Sequence, residues 1–87
     1  MSHTKYICLD LFSNECECII TFPDFVDHGN MAAALKDIGT VISAGKCDYY
    51  KEDETGQIRG SCFGESISLG IKSRPEEDSA ILDLQLR

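Results

Sequence analysis

The sequence predicts an α+β fold: a mostly antiparallel sheet of about five strands, in the order β-β-α-β-β-β, with one helix packed on one face. Three observations carry this reading. Apolar and polar residues alternate with period two up to Phe22. The apolar period then lengthens to that of a helix within residues 24–39, and the alternation returns from Thr40 onward. The chain has 87 residues, 43% hydrophobic and 26% charged, as expected of a single α+β domain spanning residues 1–87.

From Lys5 to Phe12, Ile7, Leu9 and Leu11 alternate with Tyr6, Cys8, Asp10 and Phe12, as in a strand with one face on the core. Ser13-Asn14-Glu15 supplies turn chemistry. Cys16, Cys18, Ile20 and Phe22 resume the alternation opposite Glu17 and Thr21, so these two strands should form a hairpin. Pro23 ends it, because proline cannot donate to a ladder. Met31, Ala34, Leu35 and Ile38 then form one apolar helical stripe. Asp27 or Asn30 is placed to cap its start, Phe25 and Val26 to pack against its first turns, and Gly39 to end it in the left-handed conformation.

Thr40 to Tyr50 reads as a strand, and Lys51 to Gln57 as an exposed hairpin loop in which Gly56 offers a positive φ. Ile58 to Lys72 reads as a long extended segment with a bulge or close backbone approach near Gly64. Ser73 to Ser79 reads as a turn. Ala80, Leu82, Leu84 and Leu86, alternating with Ile81, Asp83 and Gln85, read as a final strand. One short helix cannot cover such a sheet, and Tyr6, Cys8, Phe12, Ile42, Tyr50 and Ile81 sit on the strands' second faces. A homodimer is therefore expected, with the uncovered face as its interface.

Fifteen acidic against eight basic residues give a net charge of −7, which argues against direct nucleic-acid binding and against an anionic membrane surface, since both need clustered Lys and Arg. No apolar run approaches the ~20 residues of a spanning helix, and the N-terminal residues carry no apolar signal core, so a cytoplasmic location is expected. The five cysteines, Cys8, Cys16, Cys18, Cys47 and Cys62, are odd in number and read as reduced thiols. Cys16-x-Cys18 could begin a metal site, but no second close pair accompanies it, and small buried thiols are the expected role. Gly39 to Cys47 fails as a phosphate loop, because it has one residue too many, lacks the Ser or Thr after its lysine, and leads into a strand. No metal and no cofactor are expected.

Asp24, Asp27 and His28 form the one acid–histidine cluster, where a carboxylate-oriented imidazole could serve as a general base. The same residues are explained as helix caps and a first-turn surface histidine. The acidic clusters are Glu15 with Glu17, Asp48 with Glu52, Asp53 and Glu54, and Glu76 and Glu77 with Asp78, nearly all in expected turns. The reading they support is a small acidic, non-enzymatic interaction protein, an accessory or inhibitory factor of the kind found in bacteria and phages. Asp48, Glu52, Asp53 and Glu54 would steer a basic protein partner, and Tyr49 and Tyr50 would supply contact area. The alternative is a small-ligand binding protein or minor enzyme with its site around Asp24, Asp27 and His28.

Overall fold

The structure, a computed structural model, describes residues 3–14 and 16–87; Met1, Ser2 and the expected turn residue Glu15 lie outside the described residues. Strands β1 (Thr4–Leu11) and β2 (Glu17–Phe22) form the expected hairpin, with Ile7 opposite Ile20. Helix α1 (His28–Ala34) follows, then β3 (Gly39–Lys51) and β4 (Ile58–Phe63), which complete a four-stranded antiparallel sheet ordered β2-β1-β3-β4. Strands β5 (Glu65–Ser66) and β6 (Ile71–Lys72) make a second, two-stranded sheet. Helix α2 (Pro75–Gln85) comes last. The class is α+β and the main sheet antiparallel, as the sequence predicts.

β1 is central, and both of its faces are covered. Ile7 and Leu9 pack with Phe22 and Ala44 beneath Val26, Met31 and Leu35 on one side. Tyr6 and Cys8 pack with Ile19, Cys47 and Cys62 beneath Leu82 on the other. All four β1 residues are fully buried, so the period-two alternation separates two cores rather than core from solvent.

The final segment differs from expectation: residues 80–85 are helix, not strand. Pro75 stands at the first helical position, where its missing N–H costs nothing, and Glu76, Glu77 and Asp78 lie in the first turn, at the positive end of the peptide dipoles. Ala80, Leu82 and Leu84 therefore do not share a face; Leu82 is buried and Leu84 is 63% exposed. The helix, to which Ile81 itself belongs, covers Tyr6, Cys8 and Ile42, so much of the face on which the expected homodimer was argued is closed. Self-association would have to use what stays exposed, such as Phe12, Tyr50 and Ile38.

α1 is shorter than its apolar stripe. It ends at Ala34, Ile38 is exposed, and Gly39 begins β3, where an added Cβ would meet the Asp10 carbonyl oxygen at 2.8 Å. Gly39 is thus required by close approach and not by a left-handed φ. Val26 packs against the core as expected, but Phe25 is exposed. The long segment after β4 breaks at Gly64, whose φ is +80°, and turns again between β5 and β6.

α2 also occupies both free edges of the sheet. On β2, the Ile19 N–H donates to Gln85 Oε1 at 2.7 Å and Gln85 Nε2 donates to the Ile19 carbonyl at 2.9 Å. On β4, the Cys62 N–H donates to Ser79 Oγ and the Gly60 N–H to Asp83 Oδ1, each at 2.9 Å. Four helical residues rise about 6 Å and two strand residues about 6.8 Å, so Ser79 and Asp83 match successive outward amides of β4.

The helix is fastened by Asp78, which has no solvent exposure. Its Oδ2 accepts from Tyr6 Oη at 2.5 Å and from the Arg74 backbone N–H at 2.9 Å. Its Oδ1 accepts from Ser43 Oγ at 2.9 Å and from Arg74 Nη2 at 2.9 Å. Arg74 continues to Glu17 Oε1 on β2, at 3.1 Å. The expectation that Asp78 belongs to a solvated acidic turn is overturned, because helix geometry turns it inward while Glu76 and Glu77 stay exposed. Removing this carboxylate leaves the buried Tyr6 phenol and Ser43 hydroxyl without their acceptor and the half-buried Arg74 guanidinium with one carboxylate, Glu17. Asp78→Ala should lower the unfolding free energy by about 2–5 kcal/mol and Tyr6→Phe by about 1–3 kcal/mol, both measured by urea denaturation.

Candidate functional site

Among the described residues, two places bring several chemistry-bearing side chains together at the surface. The first is the β3–β4 hairpin. β1 pairs with β3 only as far as Cys47, whereas β3 and β4 continue to pair from Asp48 opposite Ser61 to Lys51 opposite Ile58. Among the described residues the end of the hairpin is therefore a two-stranded ribbon, with His3 beside it at Asp48. Its turn is closed by Gly56 N–H donating to the Glu52 carbonyl at 2.7 Å, with Gly56 at φ +70° as expected.

The six residues expected to bind a partner all lie on this ribbon, but not as one patch. The strand period places Tyr49 on the face of Cys47 and Tyr50 on the face of Asp48; they are 42% and 53% exposed. Asp48 Oδ1 lies 2.6 Å from His3 Nδ1, and Glu52 accepts from Arg59 Nη1 at 3.1 Å. These two carboxylates are engaged within the protein. Asp53 and Glu54 remain exposed at the tip, with no ion pair among the described residues. The exposed negative charge of the hairpin is concentrated there.

The second place is an open cleft of about 460 Å³ on the α1 side of the sheet. β1 and β3 contribute Lys5 and Lys46, the start of α1 contributes Asp27 and His28, and β5 with its following turn contributes Glu65, Ile67 and Ser68. Asp27 caps α1, accepting from the Gly29 N–H at 3.0 Å, as the sequence predicts. His28 is not the expected surface residue. It is 5% exposed, its Nε2 donates to the buried Gly45 carbonyl at 2.9 Å, and its ring meets the Phe22 ring edge-on at 5.5 Å.

The carboxylate-oriented imidazole expected of Asp24, Asp27 and His28 is not assembled. Asp27 is committed to the helix cap, Asp24 lies in an exposed turn outside the cleft lining, and His28 is oriented by a backbone carbonyl. Lys5, Lys46 and Ser68 are cleft residues that sequence reading passed over. They converge only through the β1–β3 pairing and the small hairpin, and the strand order was not readable from periodicity.

The cysteines divide by environment. Cys8, Cys47 and Cys62 are buried, Cys18 is half-buried and Cys16 is exposed, all as free thiols. Among the described residues no group of three or more His, Cys, Asp or Glu side chains converges as metal ligands. Burial pushes the Cys8 thiol up to about 11, with Asp78 adding to the effect. It pushes Cys62 up to about 12, with Cys47 adding, and raises Cys47 as well. The nucleophilic thiolate is thus suppressed at these three positions.

At neutral to mildly alkaline pH a disulfide reagent should label Cys16 and Cys18 in the folded protein, and all five thiols only after denaturation, counted by absorbance and mass. The same shifts set a pH dependence. A buried thiol that holds its proton more tightly folded than unfolded keeps its full stabilising contribution below its ordinary value of 9.0 and loses it as pH rises toward 12. Unfolding free energy should therefore fall above pH 9 by roughly 1.4 kcal/mol per pH unit for each such thiol, followed by chemical denaturation across that range.

Compared with known proteins, the chain matches no family model, no curated protein and no solved structure. Functional inference therefore rests on the ribbon and the cleft themselves.

Proposed function

We propose that this protein is a non-enzymatic interaction module, an accessory or inhibitory factor, that docks its β3–β4 ribbon onto a basic surface of a protein partner. The observation that carries the reading is the ribbon's geometry: strands that, among the described residues, pair beyond the end of β1, an exposed aromatic on each face, and two exposed carboxylates at the tip. A two-stranded projection can enter a groove that a flat sheet face cannot. Asp53 and Glu54 would raise the rate of encounter with a cationic surface, and the tyrosines would supply rigid contact area once docked.

Strand addition is disfavoured where α2 side chains occupy the outward backbone groups of Ile19, Gly60 and Cys62. Recognition by side chains of the ribbon is what this arrangement favours. The net charge of −7 agrees with a cationic partner.

The reading is tested by immobilising the wild type and the Asp53→Lys/Glu54→Lys variant and quantifying proteins retained from host lysate at low and high salt. The expected result is a partner retained by the wild type at low salt, released at high salt, and reduced roughly tenfold by the charge reversal. Tyr50→Ala should reduce retention at both salt concentrations, because it removes contact area and not charge. Equal retention by all three proteins would overturn the ribbon as the docking element.

A further inference from the structure

The cleft beside α1 sets two like charges side by side. Lys5 of β1 and Lys46 of β3 are directly opposite each other in the antiparallel register, and both line the cleft. Side chains so placed share a face with Cβ atoms about 4.5–5.5 Å apart, and like charges there are destabilising. The chain carries only eight basic residues against fifteen acidic ones, so an acidic partner for either lysine was readily available. Yet neither Lys5 nor Lys46 takes part in an ion pair among the described residues.

Lys5 donates one proton to the Val26 carbonyl at 3.0 Å, next to the cleft residue Asp27, which leaves its other ammonium protons to be satisfied, while Lys46 is exposed. His28 is the third polar group of this wall. Its Nε2 is fixed as a donor to the Gly45 carbonyl, and its Nδ1 has no hydrogen-bond partner among the described residues. Ser68 contributes a hydroxyl whose described contact is a long 3.4 Å approach to Ser66 Oγ.

We infer that the cleft binds a small oxyanion, the phosphate or carboxylate group of a polar metabolite, bridged between the Lys5 and Lys46 ammonium groups. An anion between them turns a repulsive pair into two charge-assisted hydrogen bonds. Asp27 and Glu65, which also line the cleft, accept hydrogen bonds from hydroxyl or ammonium groups elsewhere on the same ligand. The volume of about 460 Å³ suits a ligand of metabolite size.

The test is a titration of the ¹⁵N-labelled protein with inorganic phosphate, malonate and chloride at matched ionic strength, followed by amide chemical shifts. Phosphate or malonate is expected to shift Lys5, His28 and Lys46 saturably while chloride does not, and whichever anion saturates names the group. Lys46→Gln should weaken that binding roughly tenfold, and Lys46→Arg should restore it. Shifts that do not saturate, that spread over the other lysines, or that persist in Lys46→Gln would overturn the site. Thermal unfolding in buffer free of both anions gives an independent readout. Lys46→Gln should melt no lower than the wild type, and the binding anion should raise the midpoint of the wild type alone; a lower midpoint for the variant without anion would remove the like-charge premise.

Discussion

A carboxylate withdrawn from water must recover its hydrogen bonds within the protein, and Asp78 does so by gathering groups from three parts of the chain. Tyr6 comes from β1, Ser43 from β3 and Arg74 from the residue before α2. Tyr6, Ser43 and Asp78 are each costly to bury unpaired, and Arg74, half-buried and shared with Glu17, supplies the compensating charge. Burial beside the Asp78 carboxylate pushes the Tyr6 phenol far above its ordinary range, which keeps it a hydrogen-bond donor. The network fixes where α2 lies and how it is rotated. Hydrophobic contact through Leu82 alone would leave both free to vary.

Once α2 is fixed, its remaining side chains fall where the sheet most needs them. Ser79 and Asp83 reach one edge, Gln85 reaches the other, and Leu82 packs over Gly60, where any larger side chain on the strand would collide with it. Where α2 lies, the sheet has a covered face and outward backbone groups already engaged. The features that α2 does not cover are the ribbon beyond Cys47 and the cleft beside α1.

The parts of this fold legible in the sequence are those decided by local pattern. The β1–β2 hairpin, the extent of β3, the Asp27 cap and the left-handed Gly56 each follow from a few neighbouring residues. α2 was not read, because alternating leucines satisfy a strand period as well as they fill a helix. The deciding signal was Arg-Pro-Glu-Glu-Asp: a proline followed by three acids is a helix start. Reading it as a charged turn hid both the buried Asp78 and the cover over Tyr6 and Cys8. The ribbon was located correctly by its charge, but pairing of Asp48 with His3 and of Glu52 with Arg59 depends on contacts that spacing does not show. The cleft was approached through His28, yet its lysines come from strands whose adjacency the sequence left open.

The two sides of the sheet differ in how they are held. The α2 side is anchored by a buried carboxylate and a two-turn ladder of side-chain bonds to strand edges. On the α1 side, a seven-residue helix is tied down at its start by two cleft groups: Lys5 donating to the Val26 carbonyl and His28 donating to the Gly45 carbonyl. A helix that short is too brief to be stable alone, so its docking depends on these contacts and on Met31 and Leu35 in the core. A ligand bound beside Lys5 would act on a group that also holds the start of α1 in place. Occupancy of the cleft would then be energetically coupled to the stability of that side of the fold, whereas the Asp78 network on the opposite side shares no group with the cleft.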